Sequence, residues 1–92
     1  MANAIVTVKI MPDSPDVNLD ELEGKAMQLI KEFAGDTETK TSQEPIAFGL
    51  KAINIIFVVD EAKGSPDVVA EKIAEIDDVN SCEVTDVRRA IG

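Results

Sequence analysis

Apolar residues occupy every second position near the start of the chain, where Ala4, Val6, Val8 and Ile10 alternate with Ile5, Thr7 and Lys9. A period of two sends the first set to one face of an extended strand and the second set to the other. Such a strand cannot stand alone, because its apolar face needs neighbouring strands beside it and a second layer over it. Met11-Pro12-Asp13-Ser14-Pro15 then reads as a stop, since proline removes a ladder donor and favours turns. Alternation returns in the most apolar segment, Leu50 to Val59: Ile53, Ile55, Phe57 and Val59 share one face, while Ala52, Ile56 and Val58 populate the other. Apolar residues on both faces predict a central strand.

Elsewhere the period lengthens. Leu19, Leu22, Ala26, Leu29, Ile30 and Phe33 recur at helical spacing, with Asn18 placed to cap, Glu21 three residues on, and Gly35 at the end. The polar, Thr-rich stretch Asp36 to Glu44 suits a short edge strand whose charges discourage pairing with other chains. Ser65-Pro66-Asp67 supplies an N-cap, a proline at the first helical position and an acid at the positive end of the helix dipole. The helix it opens carries Val69, Ile73 and Ile76 on its inner stripe and ends near Asp77 or Asp78. Ser81 to Arg88 or a little beyond alternates Cys82 and Val84 against Glu83 and Thr85, a last half-exposed strand. The order strand, helix, strand, strand, helix, strand predicts an α+β ferredoxin-like split βαβ sandwich (βαββαβ), a four-stranded antiparallel sheet with two helices on one face. A chain of 92 residues commits nearly all its apolar positions to one core, so a single domain over residues 1–92 with no deep pocket is expected.

Charge and rare residues narrow the function. Nine Lys and Arg against 18 Asp and Glu leave −9, which repels phosphate backbones and anionic lipid alike, so neither nucleic acid nor membrane is an expected direct partner. There is no histidine, no Gly-rich phosphate loop and only one cysteine, Cys82, which removes the commonest bases, activated nucleophiles and zinc sites. A protein that is not an enzyme, without metal or cofactor, is expected. The start Met1-Ala2-Asn3-Ala4 lacks a basic region, and the longest apolar run, around Ile55 to Val59, is far short of a membrane span, which fits the cytoplasm.

Five features remain to be weighed as candidate sites. Glu75-Ile76-Asp77-Asp78 reads as a solvated helix end, and Cys82 as a small buried hydrophobe with no basic neighbour to lower its pKa. Phe33 and Phe57 fall on apolar faces and read as core. Phe48 lies in a turn between Pro45 and Gly49 where neither period calls for an apolar side chain: it is either an anchor for a partner or a ring folded back over the sheet end. The only arginines, Arg88 and Arg89, stand together near the end of a strongly acidic chain, and on a strand they face opposite ways.

Three stretches carry a resemblance: Pro45-Ile46-Ala47-Phe48-Gly49-Leu50-Lys51, the strand Ile53 to Asp60, and Val79 through Arg89. They resemble the archaeal type of the translation elongation factor 1-beta guanine nucleotide exchange factor domain family, over essentially all 92 residues and most strongly after Pro45. The resemblance implies a ferredoxin-like fold and an activity, promoting GDP release and GTP reloading on the elongation factor 1-alpha GTPase. It further implies that the turn of Pro45, Ile46, Phe48 and Gly49 packs on the GTPase, and that a basic side chain near the C-terminus reaches toward the magnesium and phosphate site. The family's usual lysine falls on Arg89, with Arg88 able to share or replace it. A small ferredoxin-like ligand-sensing or protein-interaction module without exchange activity stays open as the alternative, because the fold alone decides no function.

Overall fold

In a computed structural model that describes residues 3–90, the alternating segment forms β1 (Asn3–Pro12), the spine of the sheet. The reading made on Met1 and Ala2 lies outside the described residues. β1 pairs antiparallel with β3 (Lys51–Asp60) on one side and β4 (Val79–Ala90) on the other, and β2 (Thr39–Pro45) adds outside β3, for the order β2-β3-β1-β4. The helices α1 (Leu19–Ala34) and α2 (Asp67–Ala74) make this the expected α+β ferredoxin-like βαββαβ arrangement.

Register explains the core. Ala4, Val6, Val8 and Ile10 sit directly opposite Val59, Phe57, Ile55 and Ile53, and paired residues share a face. All eight are buried, and onto them α1 delivers Leu22, Ala26 and Ile30 while α2 delivers Val69 and Ile73. Ala70 is buried as well, and Phe33 packs against the core from the edge of α1.

α1 starts where the sequence says. Asn18 Oδ1 accepts from the N–H groups of Asp20 (3.0 Å) and Glu21 (3.2 Å), and both acids lie in the first turn, where the dipole favours them. It ends on Gly35 at φ 82, a conformation that a side chain disfavours, with the Gly35 N–H on the Lys31 carbonyl at 2.8 Å.

Three expectations change. β1 runs through Met11 to Pro12, paired with Val79, so the proline closes the ladder instead of preceding its end. β3 is central in the sheet, as expected, and its outer face is open: Ile56 is exposed and Val58 and Asn54 half-buried. Both helices lie over the same face, so the opposite one stays open. α2 stops at Ala74 instead of Asp77 or Asp78. Beyond it the Ile76 N–H bonds the Ile73 carbonyl and the Val79 N–H bonds that of Ile76, three-residue turns that keep Ile73, Ile76 and Val79 inward without an α-helix. Finally, β4 carries a bulge. Val8 pairs with Val84 and Thr7 with Asp86, so Thr85 is an extra residue, its Oγ1 donating to the Thr7 carbonyl at 3.4 Å.

Candidate partner-binding surface

Pro45 ends β2 opposite Lys51, and the chain must reverse within five residues to enter β3. Two hydrogen bonds pin that reversal, Ile46 N–H to the Leu50 carbonyl at 2.7 Å and Leu50 N–H to the Ala47 carbonyl at 3.3 Å. Between them Phe48 adopts φ 64, ψ 30 and Gly49 φ 76. The left-handed region is open to glycine but costs a side-chain-bearing residue about 1–2 kcal/mol. Phe48 is the only such residue among those described, and its ring is 93% exposed. The ring therefore does not fold back over the sheet end, and no packing in the free domain offsets the strain. Strain of this kind clusters at ligand clamps and switch regions, which keeps Phe48 a candidate for partner contact. Ile46 is half-buried and belongs to the support of the turn.

The bulge at Thr85 decides where the arginines go. Upstream of it Cys82 and Val84 share the helix-side face with Ile10 and Val8; downstream the parity flips, so that Val87 and Arg89 take that face opposite Val6 and Ala4. Arg88 lies opposite Ile5 on the open face, where its Nε donates to Asp86 Oδ2 at 2.9 Å. Arg89 reaches Glu61 instead, Nε donating to Oε1 at 3.2 Å and Nη2 to Oε2 at 3.5 Å. Both guanidinium groups remain largely exposed. Glu61 opens a short 3₁₀ turn, Glu61–Lys63, fixed at its start by Asp60 Oδ1 accepting from the Ala62 N–H at 2.9 Å and closed by Gly64 at φ 104.

The two halves of the predicted site do not come together. Phe48 sits where β3 begins and the arginines lie beside the end of β1 that pairs with Asp60, so the ten residues of β3 separate them by roughly 30 Å. Sequence reasoning missed Glu61 and Asp86 as partners of the arginines; Glu61 is 28 residues from Arg89 and carries no local signal. The charge is also unevenly spread. Strands hold five cations and four acids, whereas helices and connections hold four cations and 14 acids, so the arginine end belongs to the least acidic layer.

The remaining candidates stay structural. Glu75, Asp77 and Asp78 are exposed, as expected of a solvated helix end. Cys82 is half-buried, not fully buried, and packs against the core. Burial, and then the negative charge of Glu83, push its thiol up to about 12.

The sequence profile of the EF-1 guanine nucleotide exchange domain matches residues 5–90. The chain belongs to that family. Elongation factor 1-beta of Methanothermobacter thermautotrophicus is 43% identical to it over 89 residues, covering 97% of this chain and 98% of the relative. Elongation factor 1-beta of Pyrococcus horikoshii is 44% identical over 88 residues, covering 95% and 94%. A solved structure, the de novo designed protein Foldit4, superposes with a TM-score of 0.62 at 15% identity over 98% of both chains, a likeness of fold alone. Guanine nucleotide exchange in translation elongation is the activity of this exchange domain, and the ligand-sensing alternative left open by the sequence gives way to it.

Proposed function

We propose that the exchange domain, as one unit over residues 1–92 in the cytoplasm, holds elongation factor 1-alpha at both ends of its sheet. The turn of Pro45, Ile46, Phe48 and Gly49 anchors one end, and Arg88 and Arg89 bring positive charge to the nucleotide site at the other. The observation that carries the reading is Phe48, exposed and held in a left-handed conformation that nothing in the free domain repays. The chemistry at the far end is electrostatic and breaks no bond. A magnesium ion bridges phosphate and GTPase, so a cation that competes for the oxygens around it weakens the hold on GDP. Linkage makes this reciprocal: nucleotide that rebinds displaces the factor, and the excess of GTP in the cell sets the direction of exchange. Neither RNA nor membrane takes part directly, in keeping with the net charge of −9.

The deciding experiment follows release of fluorescent GDP from the matched elongation factor 1-alpha with and without substoichiometric exchange domain. Severalfold or greater acceleration, with no nucleotide hydrolysed by the domain alone, is expected; an unchanged release rate refutes the proposal.

A further inference from the structure

Arg89 and Glu61 meet across three strands. Arg89 on β4 pairs with Ala4 on β1, Ala4 pairs with Val59 on β3, and Glu61 follows two residues after Val59. Two strand spacings, about 10 Å, separate the backbones of Arg89 and Val59, and Glu61 stands two residues beyond. The side chains close that gap on the face where β1 presents Ala4, the smallest residue of its inner row. The contact is two-pronged along one edge of the guanidinium, engaging Nε–H and one Nη2–H. Arginine has five N–H donors, so three remain for a partner. Glu61 is itself held, because the Asp60 carboxylate fixes the turn that presents it.

We propose that Glu61 is a positioning residue for nucleotide exchange: it orients the Arg89 guanidinium in the free domain so that the cation meets the partner already directed. This deepens the reading above and rests on Arg89 acting at the nucleotide site. An exposed long side chain otherwise samples many rotamers, and docking would have to freeze them. A planar fork locked on a carboxylate loses less on binding, and the pair strengthens as water leaves the interface. It also gives a reason for arginine in place of lysine at this position, since an ammonium cannot engage both oxygens in one plane.

The test is a double-mutant cycle on GDP release from elongation factor 1-alpha, using the full chain. Glu61→Ala is expected to lower the release rate at saturating factor about three- to tenfold, with the half-saturating concentration changed less than about twofold. The melting temperature stays put, because the pair is exposed. Glu61→Gln, which keeps one acceptor oxygen, falls between. In an Arg89→Ala background Glu61→Ala has no further effect. If Glu61→Ala slows release equally in both backgrounds, or accelerates it, positioning is refuted. If Arg89→Ala slows release and Glu61→Ala does not, the inference fails while the reading of Arg89 survives. If Arg89→Ala is itself without effect, both fall.

Discussion

Replacing Phe48 separates two contributions that act in opposite directions. The ring is 93% exposed in the free domain, so Phe48→Ala removes almost no packing and, because alanine keeps the Cβ, leaves the left-handed strain in place. Stability is expected to change by less than about 0.5 kcal/mol, as for surface substitutions generally. Phe48→Gly also relieves the strain. About 1–2 kcal/mol of left-handed penalty disappears, about 0.5–1 kcal/mol returns as extra entropy of the unfolded glycine, and the net gain is about 0.5–1 kcal/mol. For a domain of this size that raises the melting temperature by roughly 2–8 °C. Binding moves the other way. A phenylalanine brings about 150–250 Å² of area, an upper bound of about 4–6 kcal/mol at about 25 cal/mol per Å², and incomplete burial with ordering costs reduces this to about 2–4 kcal/mol. Both variants should therefore bind elongation factor 1-alpha about 30- to 1,000-fold more weakly. Thermal unfolding followed by circular dichroism and isothermal titration with the GTPase read the two quantities separately. A melting temperature that collapses in Phe48→Ala, or partner affinity within twofold of the unsubstituted chain, would refute the reasoning.

Arg89→Ala should slow GDP release at saturating factor by about tenfold or more and Arg88→Ala, on the opposite face, by clearly less; equal losses in stopped-flow release would break the facing argument. Arg89→Lys keeps the charge but not the fork, so its rate should fall between those of arginine and alanine. The Cys82 thiol, raised from 9.0 to about 12, stays protonated in the folded chain while the unfolded chain ionises above pH 9. The unfolded state then binds fewer protons, so stability falls with rising pH from about 9 to about 12, and denaturant titrations of Cys82→Ala should lack that component of the fall. Single-stranded RNA and tRNA should bind only weakly at physiological salt; micromolar or tighter binding by fluorescence anisotropy would contradict the charge argument.

How much was legible depended on whether the signal was local. α1 was readable because its cap, its stripe and its terminal glycine lie within one segment, and β1 because a strict period of two admits one face. α2 was read too long for a specific reason. Ile76 continues the stripe of Val69 and Ile73, which looks helical in sequence, but it is held here by successive three-residue turns that lead on to Val79. The bulge at Thr85 left no trace in composition, yet it sets which arginine faces the helices. Phe48 could be singled out because it broke every period around it, but its positive φ and its exposure belong to the folded turn. The separation of Phe48 from the arginines and the pairing of Arg89 with Glu61 are products of strand order. No window along the chain holds either.

The distance between the two ends gives the sheet the character of a ruler. In the proposed complex, once the apolar end has seated, the cationic end no longer searches by diffusion; it meets its target at an effective concentration on the order of millimolar, provided the span fits. Residence and catalysis can then be adjusted separately, the turn setting how long the complex lasts and the arginines how fast nucleotide leaves. Salt should weaken the second more than the first. Such a division works only if the spacer is stiff. Paired strands of fixed register provide that stiffness where a flexible tether would not, so a change anywhere in the middle of β3 that alters its length or pairing would misalign both ends without touching either.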